Sequence, residues 1–275
     1  MLEYFYITNN PDYAAAAERA GVGRVFVDME YIGKAERQGG LDTVQNRHTV
    51  DDVKKLRSVL TKSELLVRVN PIHEGSKDEI DAVIAAGADV IMLPMWTSVG
   101  EVEKFFEYVK GRVKTILLLE TDGARLCLDG VLELDGVDEI YIGLNDLHLS
   151  QGKTFMFELL TDGTVDEITA KLRAKNIRFG IGGVGKVNCE NLLSAENILA
   201  EHYRLGSSMA ILARAFCDWT AYPVDEFEKI MTSGIAENRE YEAFLQNQDE
   251  DFFANSHTET EKIIKKIIEI KKAKK

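Results

Sequence analysis

The sequence is poor in cysteine and has no long uninterrupted apolar run. Its three cysteines, Cys127, Cys189 and Cys217, lie far apart and are never spaced as Cys-x-x-Cys, which argues against a disulfide framework and against a zinc knuckle. No stretch reaches the apolar length that crosses a bilayer, and the N-terminus lacks the basic and apolar regions of a secretory signal. These absences predict a cytoplasmic protein that makes no membrane contact.

Basic residues are also in deficit. The chain has 33 Lys+Arg against 46 Asp+Glu, a formal net charge of -13, so most of its surface should repel nucleic acid and anionic membranes. We therefore expect a small-molecule substrate, and an anionic one must meet a local group of donors. The 275 residues, 45% hydrophobic and 29% charged, suffice for one core of the size that α/β barrels fill.

Short runs rich in β-branched residues alternate with longer amphipathic stretches, which is typical of βαβ units in a parallel sheet covered on both faces. The predicted strands are Glu3–Ile7, Arg24–Met29, Leu65–Val69, Val90–Pro94, Thr115–Glu120, Glu139–Ile142, Phe179–Gly182 and Ser208–Leu212. The predicted helices include Asp12–Ala20, Val50–Leu60, Lys77–Ala86, Val99–Val109, Val165–Ala174, Ser194–Arg204 and Val224–Leu245.

Eight such units favour an α/β fold of the (β/α)8 TIM-barrel type over an open doubly wound sheet, because closure removes both sheet edges. No Gly-x-Gly-x-x-Gly follows a strand, so dinucleotide binding has little support. Thr49, Ser76 and Ser194 can each cap a helix N-terminus with a side-chain oxygen. Gly87 and Gly111 follow helices, where a left-handed residue commonly ends the helix.

The tail differs in composition from the rest of the chain. We predict a TIM-barrel catalytic domain over residues 1–245 and a C-terminal helical extension over 246–275, where acidic NQDEDFF precedes HTETEKIIKKIIEIKKAKK. The second segment has an apolar helical face formed by Ile263, Ile264, Ile267, Ile268 and Ile270. It either crosses onto another subunit or forms a final helix on the surface of its own barrel.

Two acidic residues follow neighbouring strands, at the end of the barrel where active sites of this fold lie. Glu120 ends the strand TILLLE, and Asp146 follows the strand EIYIG. Two carboxylates close together repel each other unless a cation lies between them, and hard divalent ions prefer oxygen ligands. The pair therefore predicts a metal site. The alternatives are a salt bridge from Glu120 to Arg68 without an ion, and an N-cap role for Asp146 in the turn LHLSQG.

Other polar residues are expected near the same end. Arg68 belongs to the strand LLVRV, where its guanidinium can hold a carboxylate or an enolate oxygen in bidentate fashion. Asp28 and Glu30 leave the second strand as VDME. One of them can reach a metal-bound water, while the other hydrogen-bonds nearby backbone.

Glycines after the seventh strand are candidates for substrate binding. Gly182 and Gly183 lie where many barrels bind phosphate through backbone amides. Gly206, Ser207 and Ser208 stand near the start of the eighth strand. They form a second candidate, unless they lie at the opposite end of the barrel.

The order of these segments resembles the HpcH/HpaI aldolase and citrate lyase β-subunit family, a group of metal-dependent barrels within the phosphoenolpyruvate-enzyme superfamily. The resemblance covers roughly residues 22–216 and includes VFVDME, LVRVNP and AGADVIMLPM. LLLETDGA is similar to the family's strand-five glutamate motif, and GVDEIYIGLNDLHLSQG resembles its G-V-D-x-x-x-x-G-x-x-D-L-x-x-x-x-G signature. Order and spacing agree as well as composition, so the combination is more specific than any one segment.

This resemblance implies a class II, divalent metal-dependent carbon-carbon lyase or aldolase, acting on a 2-oxo acid or an acyl thioester and, in aldol chemistry, on an aldehyde acceptor. Glu120 and Asp146 would be ligands of Mg2+ or Mn2+, and Arg68 would hold the carboxylate of a pyruvate-like or acyl enolate. Asn145, in the same signature, would contact the substrate. A homo-oligomer is also expected, since related barrels commonly trade C-terminal helices between subunits.

Two positions depart from the family pattern. Tyr31 stands where the hydroxy-oxoacid aldolases carry histidine and the citrate lyase branch carries aspartate, and Ala85 replaces an aspartate of the helix after the arginine strand. The usual proton relay of the aldolases is therefore not expected here. The candidates for handling protons in its place are Asp28, Tyr31, His48, His73 and His148.

Two other functions fit the same residues. One is condensation of an enolpyruvyl unit, in making an unusual sugar or surface-polysaccharide precursor. The other is a non-catalytic metabolite-binding barrel, which the changes at Tyr31 and Ala85 favour. Lys34 and Arg37 follow on the same loop, where they either meet an acidic substrate or are plain surface charge.

Overall fold

The computed structural model describes residues 1–33 and 48–273, and the strands of this part close into one parallel barrel in chain order, from β1 to β8 and back to β1. The strands are β1 (Glu3–Ile7), β2 (Arg24–Asp28), β3 (Glu64–Arg68), β4 (Val90–Leu93), β5 (Lys114–Leu119), β6 (Glu139–Ile142), β7 (Arg178–Val184) and β8 (Met209–Leu212). The predicted (β/α)8 TIM barrel is thus confirmed, and the doubly wound alternative is wrong because β1 pairs with β8.

Helices surround this barrel and follow its strands. They are α1 (Pro11–Arg19), α2 (Val50–Arg57), α3 (Ser76–Ala85), α4 (Val99–Val109), α5 (Asp122–Val131), α6 (Leu144–Ser150), α7 (Thr164–Ala174), α8 (Ala195–Leu205), α9 (Val224–Leu245) and α10 (Glu250–Ala273), with a 3-10 helix at Met156–Leu160. Their apolar faces pack on the outside of the sheet and form the larger hydrophobic core.

Most of the predicted helix-end signals are confirmed. The side chains of Thr49 and Ser194 cap α2 and α8 by accepting a backbone N–H three residues on. Gly87 has φ +101° and Gly111 has φ +63°, the left-handed backbone expected where a helix ends. The prediction for Ser76 is wrong, because this residue is the first of α3 rather than its cap.

The barrel interior contains an apolar layer above a layer of charges. Arg24, at the start of β2, is fully buried. Its guanidinium donates to Glu139 at 2.9 Å and to Glu64 at 2.8 Å, and Arg178 also binds Glu139, at 2.7 Å. Because all of these residues begin strands, the network fills the amino-terminal end of the barrel and leaves the opposite end, the mouth, for a site.

One buried carboxylate joins the C-terminal part of the barrel to its first strand. Glu242 of α9 is fully buried and accepts hydrogen bonds from the backbone N–H of Leu2 at 2.6 Å, from the Tyr203 hydroxyl at 3.0 Å and from Arg239 at 2.6 Å. The hydroxyl of Tyr4 also donates to it. These bonds fix the end of α9 beneath β1.

Replacing Glu242 with alanine is therefore expected to destabilise the fold by about 3 kcal/mol, since it removes the acceptor of several buried donors and of Arg239. Urea unfolding followed by circular dichroism measures this loss. Glu240→Ala, which removes an exposed carboxylate of the same helix, is the matched control and should change stability little. Equal midpoints for the two variants would contradict the anchoring role of Glu242.

The C-terminal helix packs on its own barrel, as the surface-helix alternative predicts. Its residue Thr260 is fully buried and Ile264 is almost so. Asn197 of α8 donates to Thr260 at 3.3 Å, and His257 lies 2.9 Å from the carboxylate of Glu201. The helix begins at Glu250, so the acidic stretch before the apolar face is helical from its fourth residue onward. Within the part of the chain that the structure describes, no helix combines the length and apolarity that a membrane span requires.

Candidate active site

A cavity of about 200 Å³ opens at the mouth of the barrel. Its polar lining residues are Arg68, Glu120, Asn145 and Asp146, and its other lining residues are Phe26, Met92, Leu118, Tyr141, Gly143, Leu144, Met156, Gly182, Gly183 and Ile211. The structure thus brings together six of the residues predicted from the sequence: Arg68, Glu120, Asn145, Asp146, Gly182 and Gly183. They share this place because each stands near the carboxyl end of a barrel strand, with Gly182 and Gly183 just inside the end of β7 and the others at or after a strand end.

Arg68 is held in place by two acidic residues of the neighbouring strand and its loop. Its Nε and Nη2 donate to the two carboxylate oxygens of Asp28 at 2.8 and 2.9 Å, which is the bidentate geometry that gives strong charge-assisted pairs. Its Nη1 lies 3.3 Å from Glu30. Asp28 and Glu30 are 1% and 2% exposed, and both contact this guanidinium. Asp28 also accepts the backbone N–H of Glu30 at 3.2 Å, which is the backbone hydrogen bond that the sequence predicted for one of these two acids.

Glu120 does not form the direct ion pair with Arg68 that was the alternative to metal binding. Among the described residues, the Arg68 ion pairs within 4 Å are those with Asp28 and Glu30. The carboxylate of Glu120 is 3% exposed and accepts the backbone N–H of Met95 at 3.1 Å. Burial is the main cause that raises the pKa of Glu120 to about 8.

Neighbouring charges shift the pKa of Glu120 in both directions. The charge of Arg68 lowers its pKa, whereas the charges of Glu30 and Asp146 raise it. The mouth therefore holds the carboxylates of Asp28, Glu30, Glu120 and Asp146 around one arginine. Such an excess of buried negative charge is stabilised either by proton uptake or by a cation.

Asp146 is positioned by the short helix α6 and does not cap it. The N-cap position of α6 is Gly143, and Asp146 lies in the first turn, with no side-chain capping bond in this helix. The capping alternative is therefore wrong. The sequence could not show why Gly143 is glycine: a Cβ atom there would lie 2.8 Å from Cβ of Glu120, closer than packed atoms allow.

Met95 is another site residue that the sequence did not indicate. It lies after β4 with φ +56°, a left-handed backbone that is uncommon for a bulky side chain. Its backbone N–H is the donor to Glu120. Strain of this kind persists where surrounding contacts impose it, and it clusters at functional sites.

The glycine segment after β7 is shaped by a tyrosine from inside the barrel. The hydroxyl of Tyr141 donates to the carbonyl of Gly182 and accepts the N–H of Ile211 at 2.7 Å. The pairing of β7 with β8 shifts register between Gly180 and Gly183, and Gly182 has φ +45°. The irregular strand thus turns Gly182 and Gly183 into the cavity wall.

The second glycine and serine segment lies at the wrong end of the barrel for a ligand at the mouth. Gly206, Ser207 and Ser208 precede β8, and the backbone N–H of Ser208 donates to the carbonyl of Phe179 near the start of β7. Because these are the amino-terminal ends of the strands, the segment is remote from the polar cavity residues.

The proton-handling candidates are dispersed. Of the described residues, those lining the cavity include neither Tyr31 nor His48, and the Tyr31 side chain is 67% exposed. Nδ1 of His48 accepts the N–H of Asp28 at 3.0 Å, so the neutral ring carries its proton on Nε2.

The two remaining histidine candidates contact neighbours of their own. His73 hydrogen-bonds Ser76 at 2.9 Å, and buried His148 contacts the carbonyl of Asn145. Lys34 and Arg37 lie outside the described residues.

The donor set at the mouth fits a metal ion that the protein holds through few ligands. Among residues 1–33 and 48–273 there is no group of three or more His, Cys, Asp or Glu side chains arranged to hold a metal. Glu120 and Asp146 are the carboxylates not engaged by Arg68. Mg2+ is often held by one or two carboxylates, with water and substrate completing its shell, so the two residues suffice for an ion of this kind.

Over residues 2–177, the sequence matches the family described as HpcH/HpaI aldolase/citrate lyase. The chain belongs to this family. The HpcH/HpaI match includes Arg68, Glu120 and Asp146, whereas Gly182 and Gly183 lie beyond it. The family assignment supports a lyase of the aldolase type that acts on a small molecule.

Two solved structures related to the HpcH/HpaI family are similar in fold. An HpcH/HpaI aldolase from Desulfitobacterium hafniense DCB-2 has a TM-score of 0.61 and 15% identity, covering 83% of this chain and 93% of its own. An HpcH/HpaI aldolase/citrate lyase family protein from Burkholderia cenocepacia J2315 has a TM-score of 0.57 and 15% identity, covering 77% of this chain and 87% of its own. At such identities the likeness concerns the fold alone. No curated protein matches the chain.

Proposed function

We propose that this protein is a Mg2+- or Mn2+-dependent carbon-carbon lyase or aldolase that acts on the enolate of a 2-oxo acid or an acyl thioester. The observation that carries this proposal is the pair of buried Glu120 and half-buried Asp146, which repel each other at the mouth while Arg68 is engaged by two other acids. A divalent ion would relieve that repulsion. The catalytic unit would be residues 1–245, with an aldehyde as acceptor and a homo-oligomer as the working form.

In this proposal each side chain has a separate task. A divalent ion held by Glu120 and Asp146 would supply the Lewis-acid stabilisation that an enolate needs. Arg68 would bind the substrate carboxylate, because its guanidinium carries more N–H donors than Asp28 and Glu30 accept. Asp28 and Glu30 would keep that guanidinium oriented, which lowers the cost of arranging it when the substrate binds.

Substrate placement and proton transfer would fall to the residues around this centre. Asn145 and the backbone at Gly182 and Gly183 line the cavity and would orient the rest of the substrate. His48 would act as a proton donor through Nε2, since its Nδ1 is committed to the backbone of Asp28. Tyr31 is another of the proton-handling candidates that the sequence offers.

Exchange of the methyl protons of pyruvate with deuterium tests the proposal. In deuterated buffer with Mg2+ or Mn2+ we expect the pyruvate methyl signal in proton NMR to decrease, and EDTA to stop the decrease. Asp146→Asn should lower the exchange rate at least about 100-fold, as expected when a metal ligand is lost. The control is Asp251→Asn, which changes an exposed carboxylate of α10.

The same experiment discriminates between the candidate functions. Exchange that persists in EDTA would refute metal dependence. Metal binding without exchange, either of pyruvate or of an acyl thioester, would favour the non-catalytic metabolite-binding barrel. Incubation with pyruvate and a panel of aldehydes, followed by product analysis, separates an aldolase from an enolpyruvyl-condensing enzyme.

A further inference from the structure

The loop that leaves β2 is bound through its backbone by a side chain of the next strand's loop. Asn70 lies two residues beyond the end of β3 and is 2% exposed. Its Oδ1 accepts the backbone N–H groups of Tyr31 and Ile32, both at 3.0 Å. One buried amide oxygen therefore fixes two successive peptide groups of the loop.

A carboxylate from α3 determines which way this amide faces. Nδ2 of Asn70 donates to Oε1 of Glu79 at 2.7 Å, and the backbone N–H of Asn70 lies 3.3 Å from the same oxygen. Because a carboxylate accepts only, Nδ2 must face Glu79 and Oδ1 must face the loop. Reversing the amide would set its oxygen against that carboxylate.

The end of β2 and the loop that follows it carry the acids that orient Arg68. Asp28 and Glu30 precede Tyr31 and bind the guanidinium, while Asn70 binds the amides just after them. The end of β3 thus contacts this loop twice, through the side chain of Arg68 and through that of Asn70. Movement of the loop would carry Glu30 away from the arginine.

We infer that Asn70 and Glu79 are positioning residues, which hold the β2 loop so that Asp28 and Glu30 present Arg68 to an anionic substrate. This inference rests on the proposed function for its consequence and on the hydrogen bonds for its mechanism. Neither residue lines the cavity among the described residues, so the effect is transmitted through the loop. Ala85, at the end of α3, has no part in it, and the carboxylate that α3 contributes is Glu79.

Hydrogen exchange in the Asn70→Ala protein tests the mechanism directly. We expect the amides of Tyr31 and Ile32 to exchange at least about tenfold faster, because they lose their acceptor. Glu79→Ala should have the same effect more weakly, since it frees the amide to rotate, and Glu79→Gln, which retains an acceptor for Nδ2, should stay close to wild type. Unchanged exchange at both amides in Asn70→Ala would overturn the inference.

Binding of oxalate in the presence of Mg2+ tests the consequence. Asn70→Ala should weaken oxalate binding by about tenfold, the lower end of what outer-shell partners contribute. Binding of Mg2+ alone should stay unchanged, because Glu120 and Asp146 follow other strands, β5 and β6. A loss of Mg2+ binding in parallel would indicate a general structural effect and would overturn the inference. So would faster exchange with undiminished oxalate binding.

The two proposals fail in different ways. If the wild-type protein binds no oxalate with Mg2+, the proposed function is refuted, and the exchange rates still decide whether Asn70 holds the loop. If the wild-type protein binds oxalate and Asn70→Ala binds it equally well, the proposed function stands and the positioning role is refuted.

Discussion

Replacing Glu120 with glutamine is expected to abolish Mg2+ binding and to stabilise the metal-free fold at high pH. Burial raises the pKa of Glu120 to about 8, above its usual value of 4.5. The folded chain therefore holds a proton that the unfolded chain releases, and this contribution to stability is complete below about pH 4.5 and is lost as pH rises through about 8. Glutamine carries no charge, so its contribution to folding stability should not change with pH.

Urea unfolding at pH 6 and pH 9 in EDTA measures this difference. From pH 6 to pH 9 the free energy of unfolding of the wild-type protein should fall by on the order of 2 kcal/mol relative to that of Glu120→Gln. Mg2+ at about 100 times its dissociation constant should make the wild-type protein the more stable of the two, since the ion stabilises only the wild type, by about 2.7 kcal/mol. Glu107→Gln, an exposed position on α4, is the control. Equal pH dependence in wild type and Glu120→Gln would show that the ionisation of Glu120 is not coupled to folding.

Arg68→Met is expected to produce the largest combined loss of stability and activity. The change removes the guanidinium from the buried carboxylates of Asp28 and Glu30, which costs about 3 kcal/mol when one partner of a buried pair is deleted. It also removes the group proposed to bind the substrate carboxylate. Thermal unfolding measures the first effect, and metal-dependent pyruvate exchange, which should fall at least about 1000-fold, measures the second.

A compensated variant separates these two effects. Combining Arg68→Met with Asp28→Asn and Glu30→Gln removes the excess negative charge together with the arginine, so stability should largely return while exchange stays low. Arg68→Lys retains the charge but loses the bidentate fork, and it should fold well with weakened oxalate binding. Substantial exchange in the compensated variant would show that Arg68 serves the fold alone.

Much of the barrel follows from local pattern. Helices α4 and α9 have the predicted bounds, and every strand start or end shifts by at most two residues, because short apolar runs between turn signals restrict where a buried strand can lie. Helix α5 was not predicted. It contains Gly123 and Gly130, which weaken helix propensity, and a Cβ at Gly123 would lie 2.9 Å from Thr97. Such a packing requirement cannot be inferred from periodicity.

The candidate site was predictable in its members and less so in its connections. Because strand ends meet at one edge, the sequence was enough to group Arg68, Glu120 and Asp146. It did not show that Arg68 pairs with Asp28 and Glu30 rather than with Glu120, since a long side chain can reach any of these acids. It also gave no sign of Asn70, whose role depends on contacts with residues far along the chain.

The charged layer around Arg24 has a consequence for how molecules reach Glu120. Since this arginine and Glu139 fill the interior at the amino-terminal end of the strands, ligands arrive and depart through the same opening at the mouth. A product that lingers there excludes the next substrate.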